Sequence, residues 1–388
     1  MVKRITFCFL MIFALVSCIG NVNLKDCVFA ENEELSVSSE SAYVCDFYTG
    51  KVVYEKNADA KKQIASMTKV VSLGVIFDEI DNGHMSLEDS VCVSNNAADT
   101  EGSSAFLDSG SEYSLETLIK TVIIASANDS MVALAEKVAG SEKLFVNKMN
   151  EYAGSLGMND SYFENSTGLP SLNAYSTAKD ITIAYKNISE NPIYNKYASV
   201  WMDELIHPSG RKTELVNTNR LLKTYDGKVN GKTGFTNTAK YCFVGAAEKG
   251  NMKIIASILG AEDSKTRFNE LKLMYDYAFE NYHNNVIVSK DDVLQNISVK
   301  NAKIGKINVF SNENLCNFEK KSNNSKTNVV IKLDKVKAPI AKNGKVGKVY
   351  LTDEQGMVIC ESDAVVREQV DKLSVGDILN QIFTKWYK

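Results

Sequence analysis

Apolar residues along this chain change their spacing from one region to the next, and that change limits the fold more than any single motif. Residues 66–80, 115–125 and 129–139 repeat apolar side chains at helical spacing. Val229 to Ala247 and Met252 to Ala261 read as two adjacent strands, separated by Glu248-Lys249-Gly250-Asn251. A helix is expected over Lys265 to Tyr282. Ser41 to Tyr54 alternates and turns at Tyr48-Thr49-Gly50, the pattern of a hairpin. From about Val286 the texture shifts to short apolar runs between polar turns: Val286-Ile287-Val288, Val329-Val330-Ile331, Val346 to Leu351 and Met357-Val358-Ile359. Period-two runs with frequent turns predict a small β-sandwich. The expected fold is therefore α+β: an antiparallel sheet with packed helices, residues 31–285, then a β-rich accessory domain, residues 286–372. A chain of 388 residues has room for both.

Both ends carry further signals. Lys3 and Arg4 precede the apolar run Ile5 to Val16, which reads as a secretory signal and is too short for a membrane span. Val28-Phe29-Ala30 resembles a small-residue cleavage site, giving a signal peptide over residues 1–30. Leu15-Val16-Ser17-Cys18 instead resembles a lipobox that would leave Cys18 lipid-modified. At the other end Val375, Ile378, Leu379, Ile382, Phe383 and Trp386 share one helical face, with Lys385 and Lys388 beside them. Residues 373–388 are expected to form an amphipathic helix lying on a membrane surface; docking on its own domain is the plainer alternative.

Composition excludes several chemistries. The net charge is −4 and no basic stripe is visible, so no nucleic-acid partner is expected. The three histidines, His84, His207 and His283, stand in no metal-ligand spacing, so neither a metal nor another cofactor is expected. Beyond Ala30 there remain Cys45, Cys92, Cys242, Cys316 and Cys360, an odd number without pairing pattern. They read as small buried apolar residues.

Three short motifs carry chemistry. Ser66-Met67-Thr68-Lys69 stands where a helix should begin. Residues three apart share a helix face, which puts a lysine within reach of a serine hydroxyl. Serine needs a neighbouring base to become a nucleophile, and lysine is a base only where burial and nearby charge lower its pKa. Taken alone, a solvated surface pair would explain Ser66 and Lys69. Ser126-Ala127-Asn128 follows the apolar run Leu118 to Ile124; alone it would be a polar turn with Asn128 or Asp129 as helix cap. Lys232-Thr233-Gly234 follows the turn Asp226 to Gly231; alone it would be a strand after a turn.

Together and in this order, the three motifs resemble the signature set of the serine penicillin-recognising enzymes. The wider sequence resembles the low-molecular-mass penicillin-binding proteins, the serine-type D-alanyl-D-alanine carboxypeptidases. The resemblance includes Ala42-Tyr43-Val44, Asn96-Ala97-Ala98, Gly102-Ser103-Ser104, Asn165-Ser166-Thr167-Gly168-Leu169-Pro170, Ser176 to Asp180 and Asn217 to Leu222, and runs from about Glu34 to Val366. It implies a β-lactamase/transpeptidase-like catalytic domain with a mainly helical subdomain, a spacer-like accessory domain and a C-terminal membrane anchor, and favours signal cleavage after Ala30. It implies a peptidoglycan stem peptide ending in D-Ala-D-Ala as substrate, and acylation by β-lactams. Ser66 would be the nucleophile, Lys69 the general base and Ser126 a proton relay. Asn128 would hold the peptide and Lys69, and Lys232 would supply positive potential. Thr233 would bind the terminal carboxylate, Gly234 would admit the ligand close to the strand, and the amides of Ser66 and Phe235 would hold the oxyanion. Some members place an arginine on the neighbouring strand for that carboxylate; here the nearest match is Lys253.

Rival readings use the same motifs. A β-lactamase of class A needs a glutamate in a Glu-x-x-x-Asn loop, and Glu164-Asn165-Ser166-Thr167-Gly168 lacks that spacing. A transpeptidase would pass the acyl group to an amine. A silent wall-binding protein would have no need to keep Ser66, Lys69, Ser126, Asn128 and Lys232 together.

Overall fold

The computed structural model describes residues 35–377 and Leu379. The signal and lipobox readings, and most of the proposed tail helix, lie outside these residues. Strands β1 (Ser41–Asp46) and β2 (Val52–Lys56) form the expected hairpin. A 3-10 turn, Ala65–Met67, runs into helix α1 (Thr68–Asp81). There follow β3 (Ser90–Cys92), α2 (Asn95–Ala98), β4 (Glu112–Ser114), α3 (Leu115–Ala125), α4 (Asn128–Ala139) and α5 (Glu142–Ser155). Next come α6 (Ala178–Ile188), α7 (Pro192–Ala198), the hairpin of β5 (Met202–Ile206) and β6 (Lys212–Val216), and α8 (Leu221–Thr224). Strands β7 (Lys228–Thr236), β8 (Lys240–Lys249) and β9 (Met252–Ala261) lead to α9 (Ser264–Asn281).

The catalytic sheet has the order β2-β1-β9-β8-β7 and every pairing is antiparallel. The central strands β1 and β9 and most of β8 are buried, as expected of strands covered on both faces. Helices α6 and α9 pack on this sheet. Strand β7 is an edge, so its outer rim is open to a ligand. Helix α1 is buried at every position from Thr68 to Phe77. A helix apolar all round sits in the middle of a structure, and this one carries Lys69 inside with it.

One strand reading needs correction. Val229 to Ala247 is not a single strand: the chain turns back between Thr236 and Lys240, giving the β7–β8 hairpin with Thr233 opposite Phe243. The neighbour of β7 is therefore β8, and β9 lies one strand further away.

Helix α9 ends at Asn281 and a strand, β10 (Tyr282–Val288), starts at once, four residues before the expected change of texture. It pairs with β13 (Leu315–Lys320). A five-stranded sheet faces that pair, in the order β11 (Gln295–Ser298), β12 (Lys306–Ser311), β16 (Val358–Val365), β15 (Lys345–Thr352), β14 (Asn328–Leu333). Its core is built from Val309, Leu315, Val349, Leu351 and Ala364, separate from the core of the catalytic domain. The β10–β13 pair is also the junction with the catalytic domain: Lys51 Nζ donates to the Phe318 carbonyl at 3.0 Å.

Candidate active site

Ser66 lies on the 3-10 turn, two residues before α1, so the turn and not the helix proper presents it. Two backbone carbonyls beside it are accommodated by glycines from distant segments. Ala65, at φ +50°, turns its carbonyl toward Gly168, where an added Cβ would lie 1.9 Å from that oxygen. The Ile64 carbonyl abuts Gly234, where an added Cβ would lie 2.5 Å away. The missing side chain of Gly234 admits the backbone that leads into Ser66, a contact that the sequence did not suggest. This contact holds β7, and with it the Phe235 amide, against the serine turn.

Lys69 is fully buried. Its Nζ lies 3.0 Å from Ser66 Oγ, 2.6 Å from Asn128 Oδ1 and 2.8 Å from the Thr167 carbonyl. The Asn128 amide is oriented by its own Nδ2, which donates to the Glu101 carbonyl at 2.6 Å. Both Asn128 Oδ1 and Thr167 O are acceptors only. A neutral amine has two N–H groups and one lone pair. With both N–H groups directed at these two oxygens, the lone pair is left for the Ser66 hydroxyl. Burial first, and then the charge of Lys232, push the Lys69 amine well below the usual lysine range, while Asp129 acts the other way.

Lys232 is also buried, and its Nζ donates to Ser126 Oγ at 2.7 Å and to the Thr233 carbonyl at 3.0 Å. Burial and the Arg267 charge push it down to about 7. Ser126 caps the end of α3 in the left-handed conformation, φ +60°. Asn128 is the first residue of α4, whose N-cap is Ala127, with no side-chain bond. The capping role expected of Asn128 or Asp129 is therefore not what either side chain does. The Asp129 carboxylate accepts from the amides of Ala105 and Leu107 and from Ser104 Oγ, tying the preceding loop to α4. Ser126 and Asn128 converge on the two lysines through this kink and not through an extended segment.

Lys253 does not join this group. On β9 it is opposite Glu248, which is opposite Lys228, four residues before Lys232 along β7. Its Nζ lies 3.5 Å from the Phe47 ring centroid. The reading of Lys253 as a carboxylate ligand assumed that β9 neighbours β7; the β8 strand between them removes it. An arginine on α9 lies nearer, but it faces strand carbonyls. Arg267 is buried, and its Nη1 donates to the carbonyls of Gly234 at 3.3 Å and Cys242 at 3.1 Å, linking β7 to β8 behind the site. Phe235 is half exposed and stacks on Tyr241 with ring centroids 4.3 Å apart.

The remaining candidates lie elsewhere. Glu164 holds Asn173, and among the described residues no carboxylate bonds Ser66 or Lys69. His84 pairs with Glu79, His207 sits between Tyr113 and Thr213, and His283 lies beside Glu319. Cys242 is buried and its thiol is pushed up to about 11 by burial. Cys45 and Cys316 are buried too, whereas Cys360 is half-buried and Cys92 is exposed, against the expectation for all five.

The family model of D-alanyl-D-alanine carboxypeptidase matches residues 28–263, more than half of the chain. This chain belongs to that family. The model of the penicillin-binding protein 5 C-terminal domain matches residues 282–372, which include the β-sandwich strands β10 to β16. The chain is 35% identical over 358 residues to D-alanyl-D-alanine carboxypeptidase DacF of Bacillus subtilis, covering 92% of both chains. It is 28% identical over 364 residues to DacA of Escherichia coli, covering 90% of this chain and 89% of that one. Among solved structures, the peptidoglycan synthesis regulatory factor (PBP3) of Streptococcus pneumoniae superposes with a TM-score of 0.72 at 25% identity, covering 87% of this chain and 100% of that chain. Penicillin-binding protein 5 of Haemophilus influenzae gives a TM-score of 0.68 at 26% identity, covering 87% and 98%.

Proposed function

We infer that this chain is a serine D-alanyl-D-alanine carboxypeptidase that removes the terminal D-Ala from peptidoglycan stem peptides and is acylated by β-lactams. The observation that carries the chemistry is the Lys69 amine: buried, pinned by two acceptors, and 3.0 Å from Ser66 Oγ. Ser66 attacks the carbonyl of the penultimate D-Ala while Lys69 takes its proton. The oxyanion is held by the amides of Ser66 and Phe235, each such donor being worth roughly 3 kcal/mol. Collapse of the tetrahedral intermediate breaks the peptide bond, and the proton that Lys69 took from Ser66 passes through the Ser126 hydroxyl, steadied by Lys232, to the leaving D-Ala nitrogen, which returns Lys69 to its neutral form. Water then hydrolyses the ester on Ser66, releasing the shortened stem and restoring the serine. A β-lactam presents a strained amide to the same serine, and its ring opens to a stable ester.

The class A β-lactamase reading lacks its base, because Glu164 is bonded to Asn173. Transpeptidation uses the same acyl-enzyme and differs only in the acceptor. Labelling with a fluorescent penicillin tests the nucleophile: one adduct per chain is expected, absent in Ser66→Ala. Labelling that survives this substitution refutes the assignment.

For location, we propose secretion with cleavage after Ala30 and attachment to the outer face of the cytoplasmic membrane through residues 373–388. The sequence pattern of both ends supports this, and none of the described helices is long and apolar enough to cross a membrane. Removal of residues 373–388 should move the enzyme to the soluble fraction; unchanged retention contradicts the anchor. A diacylglyceryl Cys18 in the mature protein contradicts cleavage after Ala30.

A further inference from the structure

A second cleft lies where the catalytic domain meets the β-sandwich, and the three motifs do not account for it. Its volume is about 590 Å³, within the range of roughly 300–1,000 Å³ usual for small-ligand sites. Its walls come from the β1–β2 turn (Thr49, Lys51), the β13–β14 loop (324–326) and the β15–β16 turn (353–355). Asn317 of β13 lines it too. That residue is only 4% exposed, yet among the described residues nothing hydrogen-bonds its carboxamide. Buried polar side chains are nearly always paired, so an unpaired one in a cleft wall calls for a partner from the cleft.

The walls are held in place. Thr49 donates to Asp46 Oδ2 through both its amide and its hydroxyl, each at 2.7 Å. The Ser325 amide donates to the buried Glu319 carboxylate at 3.1 Å, and Asp353 Oδ1 accepts from the Met357 amide at 2.8 Å. Lys51 is committed to the Phe318 carbonyl. What these bonds leave over is mainly carboxamide. Asn324 and Gln355 stand exposed at the rim, and like Asn317 their side chains make no bond among the described residues. Lys326 and Glu354 are at the rim as well, opposite in sign.

A carboxamide presents N–H donors and a carbonyl acceptor in one plane. Neighbouring sugar hydroxyls, and the acetamido group of an amino sugar, present the matching acceptors and donors without charge. Ile359 adds an apolar side chain for the C–H face of a sugar ring. A charged peptide end would call instead for a fixed ion of opposite sign, and the buried unpaired group here is neutral.

We propose that this cleft binds the uncharged glycan of the wall polymer through its N-acetylated amino sugars, so that the accessory domain takes part in holding the substrate. The choice of polymer rests on the carboxypeptidase reading; binding itself is read without catalysis.

The probe is peptide-free glycan strands of N-acetylated amino sugars, titrated calorimetrically into the whole protein. The variants are Asn317→Leu, which removes the carboxamide at similar size, and Gln355→Ala, on an exposed turn. A carboxamide making two neutral hydrogen bonds predicts a Kd about tenfold weaker for Asn317→Leu, and roughly threefold weaker for Gln355→Ala. Turnover of diacetyl-Lys-D-Ala-D-Ala, which carries no sugar, should stay within about twofold in both, while KM for glycan-linked stems rises. Asn317 has no bond to lose, so urea unfolding of Asn317→Leu should match wild type; if that variant does not fold, Gln355→Ala decides. No glycan binding by wild type, binding that neither substitution weakens, or an equal loss on the sugar-free peptide overturns the proposal. Binding of the free stem peptide in place of the glycan assigns the cleft to peptide and overturns it too. A protein that binds glycan strands but releases no D-alanine sinks the carboxypeptidase reading alone.

Discussion

Replacing Gly234 with alanine tests whether the serine turn and β7 must touch. The new Cβ would lie 2.5 Å from the Ile64 carbonyl oxygen. An unstrained carbon–oxygen contact is about 3.3 Å, so about 0.8 Å must open between β7 and the backbone that carries Ser66. Gly234 has no left-handed φ to lose, so the cost is steric. Overpacking of this kind costs roughly 1–3 kcal/mol of stability. The catalytic effect should be larger, because the oxyanion donors at Ser66 and Phe235 lie on opposite sides of the opened gap. A misplacement of about 1 Å costs roughly 100-fold, and loss of one donor roughly 100- to 1,000-fold. We therefore expect the second-order rate of acylation by a fluorescent penicillin to fall about 100-fold, which is about 2.7 kcal/mol in the barrier. Stopped-flow fluorescence gives the rate, and urea unfolding shows that the protein remains folded. Gly154→Ala is the control, since a Cβ there meets nothing within 4 Å. A folded Gly234→Ala protein acylated within about threefold of wild type would refute the close-approach argument.

Three further predictions concern the lysines. Asn128→Asp sets a carboxylate against the Lys69 amine and stabilises its charged form, so acylation at neutral pH should fall about 100-fold or more and recover partly as pH rises; a loss independent of pH contradicts the neutral-base role. Lys232, held near 7 in the fold against about 10.4 in the unfolded chain, binds fewer protons when folded between those values. Its burial penalty is full below pH 7 and is relieved as pH rises, so from pH 7 to 9 the stability difference between wild type and Lys232→Met should shift by about 2 kcal/mol in favour of wild type. Urea titrations at the two pH values measure it, and a pH-independent difference refutes the assignment. Arg267→Met removes the charge that depresses Lys232, so the Lys232 titration should move to higher pH; an unmoved titration in a folded variant would show that burial alone sets it.

Sequence was most informative where chemistry and periodicity coincide. Helix α3 ends where the apolar spacing does, at Ala125, and the Ser126 and Asn128 that follow reach the two lysines. The order of the three motifs also implied that segments about sixty and a hundred residues apart meet, and Lys69–Asn128 and Ser126–Lys232 are those meetings. Contacts made by backbone were not legible. The third partner of Lys69 is the Thr167 carbonyl, which any residue could supply in name, and Gly168 looks like an ordinary turn glycine until the Ala65 carbonyl lies against it. Reading residues 229–247 as one strand hid the turn at 237–239, because polar residues there interrupt the apolar pattern without a glycine or proline to mark the reversal. That single error moved β9 next to β7 and made Lys253 look like a ligand. Arg267 escaped for a related reason: on an amphipathic helix a charged residue reads as solvent-facing, and only the packing of α9 on the sheet buries it.

The central claim is that Ser66 and Lys69 drive hydrolysis of a D-Ala-D-Ala bond. The most direct measurement is D-alanine release from diacetyl-Lys-D-Ala-D-Ala by the protein lacking residues 1–30 and 373–388, with Ser66→Ala alongside. Release that vanishes in the variant is the expected result. No release from the wild-type protein, or release that persists in Ser66→Ala, would contradict the claim.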